Sequence, residues 1–192
     1  MGEVHKPEPV KLIVGALSGY EHAFDLARRV LVGRYGPIDV ETALLRFDFT
    51  DYYEAQMGGG LLRKFFAFRE VIDPAILADV KVWANRMEAE LGPAISTDVP
   101  RPINLDPGYV TPAKLVLAST KDFSHRVYLR DGIYAEVTLH YEKGGSFRAF
   151  PWTFPDYKAS PGYHAFLLEA RRKLMEQLRE VQSSKCKVQR NG

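Results

Sequence analysis

The feature that most constrains this chain is a switch of hydrophobic period within its first hundred residues. Residues 11–17, Lys-Leu-Ile-Val-Gly-Ala-Leu, form a short continuous apolar run of the kind a buried strand requires. Helical spacing takes over directly: Ala23, Ala27, Val30, Leu31 and Tyr35 recur on one face until Gly36-Pro37 stops the run. Ser18 and Glu21 have the S-x-x-E spacing of a capping box at that helix start. Two strands are expected next, at 40–49 and 62–72, separated by a segment whose three consecutive glycines read as a flexible connection. Asp73-Pro74 then combines an N-cap with a first-turn proline. Ile76, Leu77, Val80, Ala84, Met87 and Leu91 mark an apolar helical stripe that Gly92-Pro93 closes.

A strand near Ile103 would complete the order strand, helix, strand, strand, helix, strand. We therefore expect an α+β fold with a ferredoxin-like βαββαβ core sheet, extended by a β-hairpin and a C-terminal helix. A single α+β domain should cover 1–180, with a basic, disordered tail at 181–192. Thr111-Pro112 repeats the cap-plus-proline signal and predicts a short buried helix over AKLVLAS. The hairpin follows. A three-residue loop, Arg130-Asp131-Gly132, would pair Leu129 with Ile133 and Val127 with Ala135 on an apolar face that continues through Val137, Leu139 and Tyr141. Tyr128 would then face Tyr134, and Arg126 would face Glu136, on a polar side. Ser160-Pro161 opens a last helix with Phe166, Leu167, Ala170, Leu174 and Leu178 turned inward.

The net charge of +2 suggests an anionic partner until the charges are located. Seven of the 26 Lys and Arg fall in 171–192 against two acidic residues, leaving 19 basic and 22 acidic residues, a formal −3, before them. The basicity belongs to the tail, which argues against a nucleic-acid-binding body. No apolar run reaches the roughly 18 residues of a membrane span, the N-terminus lacks a secretory apolar stretch, and Cys186 is the single cysteine. A cytoplasmic protein with no membrane partner is expected.

Polar and aromatic residue types crowd between 101 and 157. Arg101, Asn104, Asp106 and Tyr109 lie in a segment leading to the expected helix start at Thr111, where free N–H groups and the helix dipole favour an anion. Lys114, Lys121 and Arg126 follow. We expect Arg101, Lys114, Lys121 and Arg126 to bind a small anionic or phosphorylated metabolite near Thr111. Asn104, Tyr128 and Tyr134 would orient it, and Glu136 or His140 would move protons if a reaction occurs. The competing reading is a solvated sheet face with an Arg126–Glu136 ion pair. A metal would need His125, His140, Glu136 and Asp48 or Asp51, but the two histidines fall on opposite faces of the expected hairpin, so none is assigned. No cofactor is assigned either. MGGGLLRK lacks the hydroxyl and spacing of a P-loop, and no serine has the G-x-S-x-G context. PWTFPDY reads as an aromatic strap packing the last helix onto the sheet. The alternative function is a module that docks RNA or another protein through its sheet.

The run NLDPGYVTPAKLVLASTKDFSHRVYLRDGIYAEVTLHY, with WTFPDY after it and FDFTDYYEAQMG before it, resembles the bacterial domain of unknown function 4416 family. The likeness extends from Lys11 to about Arg179. It implies one intact domain and brings no catalytic residues with it.

Overall fold

The first strand, β1 (Val10–Ser18), is buried along its whole length, so both faces of its sheet must be covered. The structure is a computed structural model and describes residues 2–50, 53–95 and 97–190. Leu12, Val14 and Ala16 pack against α1 (Glu21–Tyr35) and α3 (Leu77–Ile95). Ile13 points the other way and joins Phe166, Leu167 and Ala170 of α5 (Pro161–Arg190). Each of the Leu, Ile, Val and Phe side chains among them contributes about 1.5–3 kcal/mol when fully buried. A large antiparallel sheet thus lies between two helical layers.

The other strands are β2 (Ile38–Glu41), β3 (Leu45–Arg46), β4 (Leu62–Ile72), β5 (Asn104–Val110), β6 (Lys114–Ser119), β7 (Val127–Arg130), β8 (Ile133–Glu142) and β9 (Ser146–Ala149). Their order is β2-β4-β1-β5-β6-β8-β7, with β3 paired to β4 and β9 to β8. The two remaining helices are short, α2 (Glu54–Met57) and α4 (Pro155–Ala159). Asp73 accepts from the Ala75 N–H ahead of α3, as its spacing predicts. The final helix buries the five residues expected of it, and its backbone runs on to Arg190, into the segment read as a tail.

Several local expectations are corrected. Ser18 caps nothing: its hydroxyl donates to the Pro102 carbonyl and accepts from the Tyr20 N–H, tying the end of β1 to the 97–102 segment. The expected strand at 40–49 is two short pieces, and part of the glycine-led connection is α2. α3 passes through Gly92-Pro93 to Ile95. The helix expected after Thr111 is β6, because its apolar residues alternate: Leu115 and Leu117 face α5, whereas Val116 and Ala118 face α3. Thr111 instead closes a turn, its Oγ1 accepting from the N–H groups of Ala113 and Lys114.

The hairpin keeps the expected register along its strands, with Val127 opposite Ala135 and Tyr128 opposite Tyr134. Its turn is shorter. Arg130 pairs with Ile133 across Asp131 and Gly132, both at positive φ, and Leu129 is the extra residue that absorbs the slip. A second bulge sits in β8: Leu115 pairs with Leu139 but Val116 pairs with Val137, leaving Thr138 over. One extra residue exchanges the faces of a strand. Ile133, Ala135 and Val137 therefore pack toward α3, and Leu139 and Tyr141 toward α5, so the single apolar face expected of 133–141 is divided. Strand β7 ends the sheet, with Val127, Tyr128 and Leu129 exposed.

Candidate polar ligand site at the sheet fork

The sheet opens between β5 and β6. These strands pair only over Gly108–Val110 and Leu115–Leu117, although β5 begins at Asn104. Pro107 is the physical cause. Backbone groups alternate sides along an antiparallel strand, so Pro107 and Leu105 face β6 just as the paired Tyr109 does, and Pro107 has no N–H to offer. Two side chains of α3 stand in for the missing strand: Leu105 N–H donates to Glu88 Oε1 at 2.8 Å, and Lys81 Nζ donates to Leu105 O at 2.7 Å. Lys81 and Glu88 are seven residues apart, two helical turns, and so share the face that meets β5.

Ionised groups converge on this fork. Asp106 accepts from Arg63 Nη1 at 3.0 Å and from Asn104 Nδ2 at 2.6 Å, and lies 3.6 Å from Lys81 Nζ. Glu88 receives Arg101 through Nε at 3.1 Å and Nη2 at 2.8 Å, and Arg101 Nη2 also reaches Asn104 Oδ1. Arg63 further faces Asp156 of α4 at 3.8 Å. Gly15, beside Arg63 on β1, has no room for a side chain: a Cβ there would stand 3.2 Å from Arg63 Nη1 and 2.8 Å from the Phe65 ring.

Burial and pairing pull the carboxyls apart. Burial pushes Asp106 up, but Lys81 and Arg63 overcome it and hold the carboxyl below its ordinary range. Glu88 and Asp156 are both raised, in each case mainly by burial, which is only partly offset by Lys81 and Arg101 at Glu88 and by Arg63 at Asp156. Burial opposes the charge of Arg63, yet Asp106 and its neighbours raise it above the usual guanidinium value. Three polar atoms around that guanidinium make no hydrogen bond among the described residues: Arg63 Nε, Tyr157 OH and Tyr163 OH. An unsatisfied buried group costs about 1–3 kcal/mol.

Beside the fork lies a groove of about 760 Å³, lined by Gln56, Glu88, Thr97, Val99, Arg101 and Pro102 among others. Small-molecule sites span about 300–1,000 Å³. Arg101 borders it half-exposed, and its Nη1 takes no hydrogen bond among the described residues.

The residues predicted from sequence do not converge. Arg101 and Asn104 stand at the fork, whereas Thr111 and Lys114 lie past the other end of β5, about 20 Å away at 3.3 Å per residue. Arg126 and Glu136 form a separate knot. Glu136 Oε2 accepts from Arg126 Nε at 2.9 Å and lies 3.1 Å from His125 Nε2, while Thr138 donates to Oε1. Arg126 Nη1 is taken by Ser119 Oγ and by the Lys121 carbonyl, and Phe123 lies against the guanidinium. Tyr128 and Tyr134 pack edge to face on the outer hairpin. His140 is four residues beyond Glu136, pairs with Glu142 and tilts against Phe150.

The expected strap is present. Trp152 stacks between Phe150 and His125, donates to the Val137 carbonyl, and Thr153 Oγ1 donates to the Thr138 carbonyl. Its tryptophan end fastens the bulged part of β8, and Tyr157 meets the expected partner, packing against Tyr163 of the last helix and Phe65 of β4. The metal candidate Asp51 and the side chain of Cys186 lie outside the described residues.

Sequence reasoning missed Arg63, Lys81, Glu88 and Asp156, and placed Asp106 in the polar segment before Thr111 without giving it a role. A signal existed. Arg63 shares a strand face with Phe65 and Ala67, and Lys81 and Glu88 interrupt the apolar stripe of α3. A charge on a core-facing position is the pattern that a buried pair leaves in sequence.

Together these features define a mixed α+β protein built on a large antiparallel sheet between helical layers. The chain belongs to the family described as Domain of unknown function (DUF4416), whose model matches residues 8–174. No curated protein and no solved structure matches it.

Proposed function

We propose that the protein binds a small anionic metabolite, carboxylate or phosphate-bearing, in the groove beside the β5–β6 fork. Arg101 is the residue that holds it. The observation that carries this reading is the state of Arg101: Glu88 fixes one edge of its guanidinium, the side chain lines the groove half-exposed, and Nη1 has no hydrogen bond among the described residues. A pre-oriented guanidinium is the donor best suited to a carboxylate or phosphate. The surrounding charges balance: Arg63, Lys81 and Arg101 stand against Glu88, Asp106 and Asp156. Turnover, if it occurs, would use Asp106 and Asp156, whose environments displace them in opposite directions on one arginine. We retain the ferredoxin-like reading for the unit β1-α1-β2-β4-α3-β5, supported by the strand order β2-β4-β1-β5 with every neighbouring pair antiparallel. We retain the cytoplasm as its location, on the single cysteine. Among the described residues, no helix is long and apolar enough to cross a membrane.

Calorimetric titration with inorganic phosphate and with succinate tests the binding reading. Saturable binding that weakens at least tenfold in Arg101→Ala supports it, and affinity unchanged by that substitution removes it. A second reading, docking of another protein through the sheet, is supported by the exposed Val127, Tyr128 and Leu129 on the terminal strand β7. Partner binding that survives Arg101→Ala and is lost in Val127→Lys would favour it.

A further inference from the structure

A second groove, of about 590 Å³, opens where α3 meets the end of α1 and the tip of the β7–β8 hairpin, and it shares no lining residue with the groove beside Arg101. Its walls are Asp79, Val82, Trp83 and Arg86 of α3, Arg34 in the last turn of α1, and Asp131 in the hairpin turn. The four α3 residues recur at i, i+3, i+4 and i+7, so they form one face of that helix. Three guanidinium groups and two carboxylates meet here, and their pairing is unequal. Arg130 takes both carboxylates, Asp79 through Nη2 and Asp131 through Nη1. Arg34 and Arg86 are left without a carboxylate partner among the described residues. Arg34 lies against the Tyr35 ring at 5.9 Å, and Tyr35 meets Trp83 edge to face at 5.2 Å. The half-buried Trp83 ring is thereby held in place at the groove wall.

We propose that this groove binds an aromatic anion, a flat ring bearing a phosphate or carboxylate group, with the ring against Trp83 and the charged group held by Arg34 and Arg86. The five charged groups sum to +1, and the two that carry the excess both line the groove. Like charges sharing one groove repel, and an anion held by both removes that repulsion while accepting hydrogen bonds from two guanidinium forks. Trp83 selects for the ring, because aromatic pairs gain from stacked or edge-to-face contact beyond the area they bury. The volume lies within the roughly 300–1,000 Å³ of small-molecule sites. The inference stands apart from the reading of Arg101 and draws on none of its residues.

The chain has two tryptophans, so Trp152→Phe leaves the emission of Trp83 as a report on this groove alone. Phenyl phosphate and inorganic phosphate are titrated into that single-tryptophan protein and into its Arg34→Ala, Arg86→Ala and Arg101→Ala derivatives. Arg34 and Arg86 are exposed helical residues, where alanine is well tolerated. The proposal expects a saturable change in Trp83 emission with phenyl phosphate and at least tenfold weaker binding in Arg34→Ala and in Arg86→Ala. It also expects inorganic phosphate to bind at least tenfold more weakly than phenyl phosphate, and Arg101→Ala to leave phenyl phosphate binding within twofold. Calorimetry on the wild-type chain and its two arginine variants repeats the comparison without the Trp152 substitution. An emission unchanged by phenyl phosphate, or binding within twofold of the parent in both arginine variants, overturns the site. Equal affinity for inorganic phosphate overturns it too, since the ring would then contribute nothing. Binding lost in Arg101→Ala and kept in the other two assigns the anion to the groove at the fork, which removes this site and leaves the proposed function standing.

Discussion

Two arginine–carboxylate knots lie along the same sheet and differ in the buried polar atoms they leave without a hydrogen bond. At Arg126, Nε donates to Glu136 and Nη1 to Ser119 and a main-chain carbonyl, Phe123 lies across the guanidinium face, and no buried atom of Arg126 or Glu136 lacks a partner among the described residues. At the fork, Arg63 and Arg101 are equally well paired with Asp106 and Glu88, yet the buried Arg63 Nε has no hydrogen bond among the described residues. The first arrangement closes the 119–126 loop onto β8. The second has donors left over, held by groups that cannot follow a ligand if it leaves. Saturation marks a fastening, and residual hydrogen-bonding capacity in a fixed geometry marks a place where something can bind.

The largest expected difference between the knots is in stability. Arg63→Met strands Asp106 and Asp156 without their common cation and should cost about 3–5 kcal/mol, measured as a fall in denaturant midpoint. Glu136→Gln keeps the shape of the other knot and removes its charge; a loss of about 1.5–3 kcal/mol is expected, with phosphate affinity within twofold of wild type. A loss of phosphate affinity in Glu136→Gln would erase the distinction drawn between the two.

Acid titration sharpens the comparison. Glu88 and Asp156 have raised values in the folded protein, so the folded state binds their protons more tightly and gains stability as pH falls from neutrality through those values. Asp106 is lowered, so its contribution is present above the unfolded carboxylate value and is lost as pH falls further, through its folded value. The charged and titratable groups facing them are Lys81, Arg63, Arg101, Tyr157 and Tyr163. Stability followed against pH should therefore rise on mild acidification and then fall. Glu88→Gln with Asp156→Asn should abolish the rise and keep the fall. The smallest effect belongs to Lys114→Ala at the far turn: stability within about 0.5 kcal/mol and phosphate binding unchanged.

Much of the fold was legible because hydrophobic period is written in every residue of an element. β4 coincides with the strand read at 62–72, and α3 follows the stripe from Ile76 to Leu91. The site was legible only in part. Arg101 and Asn104 were picked out by their surroundings, but Thr111 was misread, since a threonine before a proline serves a turn as well as a helix start. The Thr138 bulge carries no residue signature, and from that residue on every side chain of β8 changes face. Pro107 marks the fork only in combination with β6, because a missing N–H matters where a neighbouring strand would otherwise pair.

The stand-in for that missing strand has a dynamic consequence. The Leu105 amide is held by a helix side chain, Glu88, in place of a neighbouring backbone. Its hydrogen-exchange rate should therefore follow the local opening of α3, while the β1-bonded amides of the same strand exchange with the sheet.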